Sequence, residues 1–95
     1  MQMGQDALYW RVMNGVLDRV RDGTYPPGGR LPSERAMVET LSVSRSTISR
    51  VMTHLRWIGL ITGPQGGIAR VATEPRRSRA LAIVDEIERI RSMPE

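Results

Sequence analysis

The sequence contains no cysteine and no lysine, and its single histidine is His54. Without cysteine the chain can form neither a disulfide framework nor a thiolate zinc site. His54 has no second ligand and no acid partner close to it in the sequence, which favours a surface or packing role over metal binding or catalysis. The glycine-rich segments lack the Gly-Lys-Ser/Thr ending of a phosphate-binding loop. We therefore expect no cofactor, no metal site and no enzymatic activity.

Long apolar runs are also missing, since the longest extends only from Trp57 to Ile61. A membrane-spanning helix needs about 20 apolar residues, so no membrane partner is expected. Residues 1–6 do not show the basic start and apolar block of a secretory signal. With 95 residues, 40% of them hydrophobic, the chain has room for one globular domain with a modest core. These features predict a cytoplasmic protein.

Positive charge is concentrated in the middle of the chain. The net charge is +4, and all 14 basic side chains are arginine. Residues 1–27 and 73–95 are each neutral overall, whereas residues 28–72 contain six arginines against only Glu34 and Glu39. Arginine can donate two parallel hydrogen bonds to phosphate or to guanine. A basic block of this kind predicts contact with nucleic acid.

The spacing of apolar residues predicts a mainly α fold with a small β-hairpin. Helices are expected over residues 6–22, for about two turns after Ser33, from Ser44 to a stop at Gly59, and over residues 78–92. Ser33 and Ser44 are suitable N-cap residues. Two short apolar runs, residues 60–62 and 68–71, flank a glycine-rich segment and predict a hairpin. We divide the chain into a winged helix-turn-helix domain, residues 1–73, and a C-terminal helical segment, residues 74–95.

The second and third predicted helices are joined by a short turn, which indicates a helix-turn-helix. Four apolar residues share the core side of the later helix: Ile48, Val51, Met52 and Leu55. The opposite side carries Ser46, Arg50, Thr53 and Trp57. Arg45 and Arg50 can donate to guanine or phosphate, which predicts a DNA-reading face. The alternative is an ordinary solvated face on which Ser44 is only a cap.

Three blocks of sequence resemble the GntR family of winged-helix transcriptional regulators. They are YPPGGRLPSER at residues 25–35, LSVSRST at residues 41–47, and Leu55 followed by Gly59-Leu60-Ile61. The resemblance extends from about Tyr9 to Val71, with the blocks in the same order and at the same spacing. It implies a winged helix-turn-helix that binds double-stranded DNA.

The resemblance also implies particular DNA contacts. Arg35 contacts DNA from the start of the second helix, and Gln65 and Gly66 at the hairpin tip reach the minor groove. Four residues enter the major groove: Ser44, Arg45, Ser46 and Thr47. Ser49 occupies a position where some members carry a further basic contact, which leaves open whether Arg50 replaces it. Two questions stay open in the hairpin. Its tip either contacts DNA or is only a tight turn. Arg70 is either a phosphate contact or a solvated edge residue.

The last predicted helix carries an apolar stripe about 120° wide. It consists of Ala80, Ile83, Val84, Ile87 and Ile90. Such a stripe must be covered, either by the first helix of the same chain or by a second copy. One recognition helix reads only a few base pairs, which favours a homodimer on a palindromic operator.

Family members usually carry a second, larger domain that binds an effector. Here about 20 residues follow the wing, and one helix cannot enclose a pocket of ~300–1,000 Å³. We expect no small-molecule effector pocket in this chain, which is then either uncontrolled by a small molecule or an excised DNA-binding domain. The short-tailed branch of the family is the nearer comparison.

These features predict a transcriptional regulator that represses from a symmetric operator. The alternative is an architectural or recombination-directing DNA-binding protein of a phage or plasmid, which binds in arrays and bends DNA. A third reading is a winged-helix protein-interaction module, for which the basic block is irrelevant.

Overall fold

Residues 3–94 fold into four helices and a small antiparallel sheet. The structure, a computed structural model, describes residues 3–94, with side chains from residue 6 onward. Met1, Gln2 and Glu95, which fall within the two predicted segments, lie outside the described residues. The elements follow in the order α1 (Met3–Arg21), α2 (Glu34–Leu41), α3 (Arg45–Trp57), β1 (Ile61–Thr62), β2 (Arg70–Val71) and α4 (Arg76–Arg91). This order confirms the predicted mainly α fold with a small hairpin.

Serine caps begin both helices of the helix-turn-helix, as predicted. The Ser33 hydroxyl accepts a hydrogen bond from the backbone N–H of Ala36 at 3.0 Å. The Ser44 hydroxyl accepts one from the backbone N–H of Thr47 at 3.3 Å. Each bond satisfies one of the N–H groups that a helix start leaves without an intrahelical partner. The starts of α2 and α3 are therefore fixed by local sequence.

The turn between α2 and α3 is tight because Ser42 adopts a left-handed conformation, with φ 54°. Its N–H donates to the carbonyl of Val38 at 2.9 Å and closes the last turn of α2. Only short polar residues and glycine tolerate this conformation at low cost. The turn sends Val43, which is 4% exposed, into the core and lets α3 cross α2.

The core lies where α1 packs against α3 and the wing. Seven of its residues have no exposed surface: Leu17, Val20, Ile48, Val51, Leu55, Leu60 and Ala80. The apolar face predicted for the third helix is the one that packs here. Burial of these side chains holds α3 in place and leaves its remaining sides free for contacts outside the core.

The wing contains more than the predicted hairpin. β1 and β2 pair with Ile61 opposite Val71 and Thr62 opposite Arg70. Residues 28–31 run along the other side of β2, where the N–H of Leu31 donates to the Ala69 carbonyl at 2.9 Å. The strands are also shorter than the apolar runs. A Gly-Gly-Arg segment has no alternating pattern of apolar residues, so this third partner could not be predicted from sequence.

α4 packs on the same domain through only part of its predicted stripe. It begins two residues before the predicted start, and Ala80 and Val84 are buried in the core. Arg77 Nη2 donates to the Val20 carbonyl at 2.9 Å, and Arg21 Nη2 lies 2.8 Å from Asp85 Oδ1. These contacts fasten α4 to the end of α1. Asp85 of α4 thus pairs with α1. Within residues 3–94, no helix is both long enough and apolar enough to cross a membrane.

Candidate nucleic-acid interface

A groove of about 320 Å³ lies between α3, the start of α2 and the wing. We call it the basic groove, because four arginines line it: Arg30, Arg35, Arg45 and Arg56. Glu34 is the only acidic residue among its lining residues. Clustered arginines around a concave surface attract phosphate, so the groove has the charge and shape needed to receive a nucleic-acid backbone.

Arg45 is the most accessible functional group that α3 brings to the basic groove. Its side chain is 69% exposed, and its Nε lies 4.0 Å from Oε1 of Glu34. The Glu34 side chain is only 13% exposed, so the carboxylate is held in the wall while the guanidinium is free. A contact of this length to an exposed arginine contributes little stability. Arg45 is therefore available to a ligand.

The hydroxyl groups at the start of α3 are partly engaged with one another. Ser44 Oγ lies 3.1 Å from Ser46 Oγ and 3.1 Å from Thr47 Oγ1. The capping role of Ser44 is thus shown, while the DNA contacts of these three residues stay predictions. Arg35 is exposed and lines the basic groove, one residue inside α2.

Ser49 and Arg50 do not line the basic groove. Ser49 Oγ donates to Glu34 Oε1 at 2.6 Å, which fixes the carboxylate behind Arg45. The Arg50 guanidinium lies 4.9 Å from the centroid of the Tyr9 ring, on the side of α1. Burial raises the pKa of the Tyr9 hydroxyl, and the positive charge of Arg50 opposes that rise. The predicted DNA contacts of Ser49 and Arg50 have no support from their placement.

The predicted wing residues separate into two places. Gly66 lines the basic groove, and Gln65 is exposed beside it at the tip. Arg70 instead donates from Nη1 to the Gly28 carbonyl at 3.1 Å and lines another hollow, which it shares with Arg76. Arg70 is thus exposed on a different side of the wing from Gly66.

The side of α3 that faces the basic groove is not the one directly opposite the core. Arg45 and Arg56, which line the groove, lie within about 20° of each other at ~100° per residue, beside the core side. Sequence reasoning instead placed the functional face around Ser46 and Arg50. It missed Arg30 and Arg56. The spacing of 11 residues between Arg45 and Arg56, three helical turns, was the available signal for Arg56.

A second concave surface lies at the junction of α1, α3 and α4. We call this region of about 370 Å³ the aromatic hollow, since its lining includes Tyr9, Trp10, His54 and Trp57. The Tyr9 hydroxyl is hydrogen-bonded to His54 Nδ1 at 2.5 Å. His54 therefore packs among aromatic rings. In residues 3–94 there is no group of His, Asp or Glu side chains suited to holding a metal ion.

Comparison with known proteins gives consistent matches. The family model of bacterial regulatory proteins of the gntR family matches residues 8–71. The chain is similar to the histidine utilization repressor of Pseudomonas putida, with 36% identity over 88 residues, which are 90% of this chain and 35% of the repressor. It is 32% identical over 79 residues to an uncharacterized HTH-type transcriptional regulator of Mycobacterium tuberculosis, covering 83% of this chain and 32% of that protein. The chain thus spans about a third of the length of these relatives.

Solved structures share the fold. BusR of S. agalactiae, in complex with its busAB-promotor DNA, superposes with a TM-score of 0.74 and 22% identity, covering 90% of this chain and 40% of BusR. A GntR family transcriptional regulator from Listeria monocytogenes superposes with a TM-score of 0.71 and 21% identity, covering 87% of this chain and 74% of the other. At these identities the likeness shows the winged helix-turn-helix fold.

Proposed function

This chain belongs to the GntR family of bacterial regulatory proteins, and we propose that it represses transcription by binding a palindromic operator as a homodimer. The observation that carries the proposal is the basic groove, where four arginines from three parts of the fold surround one concave surface. Membership in a family of regulators makes the chain a DNA-binding regulator rather than an enzyme. We place its action in the cytoplasm.

In the proposed complex α3 lies in the major groove of double-stranded DNA. The exposed guanidinium of Arg45 at the start of α3 reads a base edge, as N-terminal residues of recognition helices do. Arg35 anchors the adjoining phosphate from the start of α2. Ser44, Ser46 and Thr47 have short side chains, which allows the helix start to approach the DNA closely.

The wing supplies the second contact. Gly66 and Gly67 bear no side chains and line the basic groove, so their backbone can approach the minor groove or a phosphate. Gln65 at the tip carries the polar group suited to that contact. Arg70, on another side of the wing, is the candidate for a phosphate contact that carries no base preference.

The homodimer is proposed through α4, with residues 1–73 binding DNA and residues 74–95 pairing the two copies. Of the five predicted stripe residues, Ala80 and Val84 are covered by the chain's own core. Ile83, Ile87 and Ile90 stay 45%, 43% and 56% exposed. They lie within about 60° of one another on α4. A twofold interface centred on these isoleucines covers them and places two α3 helices on successive half-sites about one DNA turn apart.

The proposed DNA binding is expected to depend steeply on salt. A dimer that neutralises ~6–10 phosphates gives a slope of about −5 to −9 when log K is plotted against log[salt]. The measurement is a fluorescence-anisotropy titration at several salt concentrations, on a duplex selected by the protein from a random library and on an unselected duplex. An affinity independent of salt, or failure to select any sequence, contradicts the proposal and leaves the winged helix as a protein-interaction module.

A further inference from the structure

We propose that Arg56 is a positioning residue, which holds the wing at a fixed distance from the recognition helix so that both meet DNA together. This inference rests on the proposed DNA binding. Arg56 lies in the last turn of α3, and its Nε donates to the Gly63 carbonyl at 3.1 Å. Its Nη2 lies 3.4 Å from the Pro64 carbonyl, a longer bond. One guanidinium thus links the recognition helix to the start of the wing loop, residues 63–69, which connects β1 to β2.

The wing loop needs such a link because its own pairing is short. β1 and β2 contain two residues each, and residues 63–69 lie beyond them. The loop closes through the N–H of Gly67, which donates to the Pro64 carbonyl at 3.0 Å. Pro64 is therefore held both by the loop and by Arg56. The strand pairs fix the base of the wing, and the two bonds from Arg56 fix the direction of its loop relative to α3.

Gly63 is suited to this contact by its backbone. It has φ 107°, and a Cβ at this position would lie 2.1 Å from the carbonyl oxygen of Ile68. No other residue fits there without moving the opposite side of the loop. The carbonyl of this glycine is the one that accepts from Arg56 Nε.

Stability alone is a poor explanation for the position of Arg56. Its Nη1 is buried and has no hydrogen-bond partner, and an unpaired buried N–H is costly. The only acidic residue lining the basic groove, Glu34, is engaged by Ser49 and faces Arg45. The side chain thus keeps its positive charge in the groove wall while its other two nitrogens hold the loop. A fixed loop loses less conformational freedom when it meets DNA, which raises affinity.

The test compares Arg56→Met and Arg56→Lys with the unchanged chain on a selected duplex. Methionine keeps the apolar stem and removes charge and donors, whereas lysine keeps the charge but offers only one nitrogen. Both variants are expected to bind about 5- to 10-fold more weakly, because the loop must be ordered during binding. Protection of guanine N7 from methylation, a major-groove signal, should persist. Protection of the minor groove beneath the wing from hydroxyl radicals should be lost. Arg19→Met, which removes the same charge from an exposed position of α1 outside the basic groove, is the control and should keep both signals.

The outcomes separate this inference from the proposed function. Full recovery of the minor-groove protection in Arg56→Lys means that charge alone suffices, and it overturns the positioning role. Equal loss of both signals, with a lower urea midpoint of unfolding, means a structural role and also overturns it. Should Arg56→Met fail to fold, the lysine variant alone decides between these readings. If the unchanged chain protects neither groove, the DNA-binding proposal itself fails.

Discussion

Ile87→Asp is expected to produce a folded monomer that binds the palindromic operator about 10²- to 10⁴-fold more weakly than the unchanged chain. The reason is that two linked half-site contacts gain this much from effective concentration, and a monomer loses it. A carboxylate at the centre of a twofold interface meets its own symmetry copy, so charge repulsion adds to the lost apolar contact. Sedimentation velocity measures the mass, and anisotropy titration measures affinity for the full operator and for one half-site.

The matched control is Ala82→Asp, which places the same charge on an exposed part of α4 about 100° or more from Ile83 and Ile87. It should leave the dimer and the operator affinity unchanged. Truncation after Glu74 is a poorer experiment, because it also removes Ala80 and Val84 from the core and so confuses association with folding. A dimer that survives Ile87→Asp shows that the copies associate elsewhere, and the proposed role of α4 is then wrong.

Arg45→Ala is expected to cost ~1–3 kcal/mol of operator binding, or about 5- to 150-fold in affinity, and to relax the preference at one base pair. The exposed guanidinium at the start of α3 is lost, while Glu34 keeps its hydrogen bond from Ser49, so the domain should fold normally. Selection from a random duplex library, sequenced for both proteins, locates the affected base pair.

Comparison with Arg70→Ala distinguishes base recognition from phosphate binding. If Arg70 contacts only phosphate, its loss weakens binding to all sequences to a similar extent and leaves the selected motif intact. An unaltered motif after Arg45→Ala, by contrast, contradicts the assignment of base reading to the start of α3. Circular dichroism of each variant shows whether a change in affinity follows from unfolding.

Local signals made the helix-turn-helix predictable. Ser33 and Ser44 act within three residues of themselves, so their capping can be inferred from sequence. The pairing of residues 28–31 along β2 depends on a contact about 40 residues away in the chain and has no local pattern. The bonds of Arg56 escaped notice for another reason, because its partners are backbone carbonyls, and only its 11-residue spacing from Arg45 marked its side of α3.

The side of α3 that faces the basic groove was harder to predict than the helix itself. From sequence, the side opposite the core, which carries Ser46 and Arg50, is predicted to form part of the functional surface beside the helix start that carries Arg45. The wing and the start of α2 instead form the groove along the flank, and Arg50 stacks on Tyr9 of α1. In α4 the stripe was identified as one surface, yet packing divides it, because only the side that carries Ala80 and Val84 is buried in the core.

The aromatic hollow gives the molecule a built-in optical reporter. Both tryptophans of the chain line it. The aromatic hollow and the basic groove share no lining residue, so neither Trp10 nor Trp57 lies in the basic groove. Trp57 is 79% exposed, whereas Trp10 is half-buried with the Arg91 guanidinium 3.7 Å from its ring centroid. Tryptophan fluorescence therefore reports on the junction of α1, α3 and α4 and not on the wing. A shift in emission when DNA is added reports a change at this junction, which lies outside the basic groove.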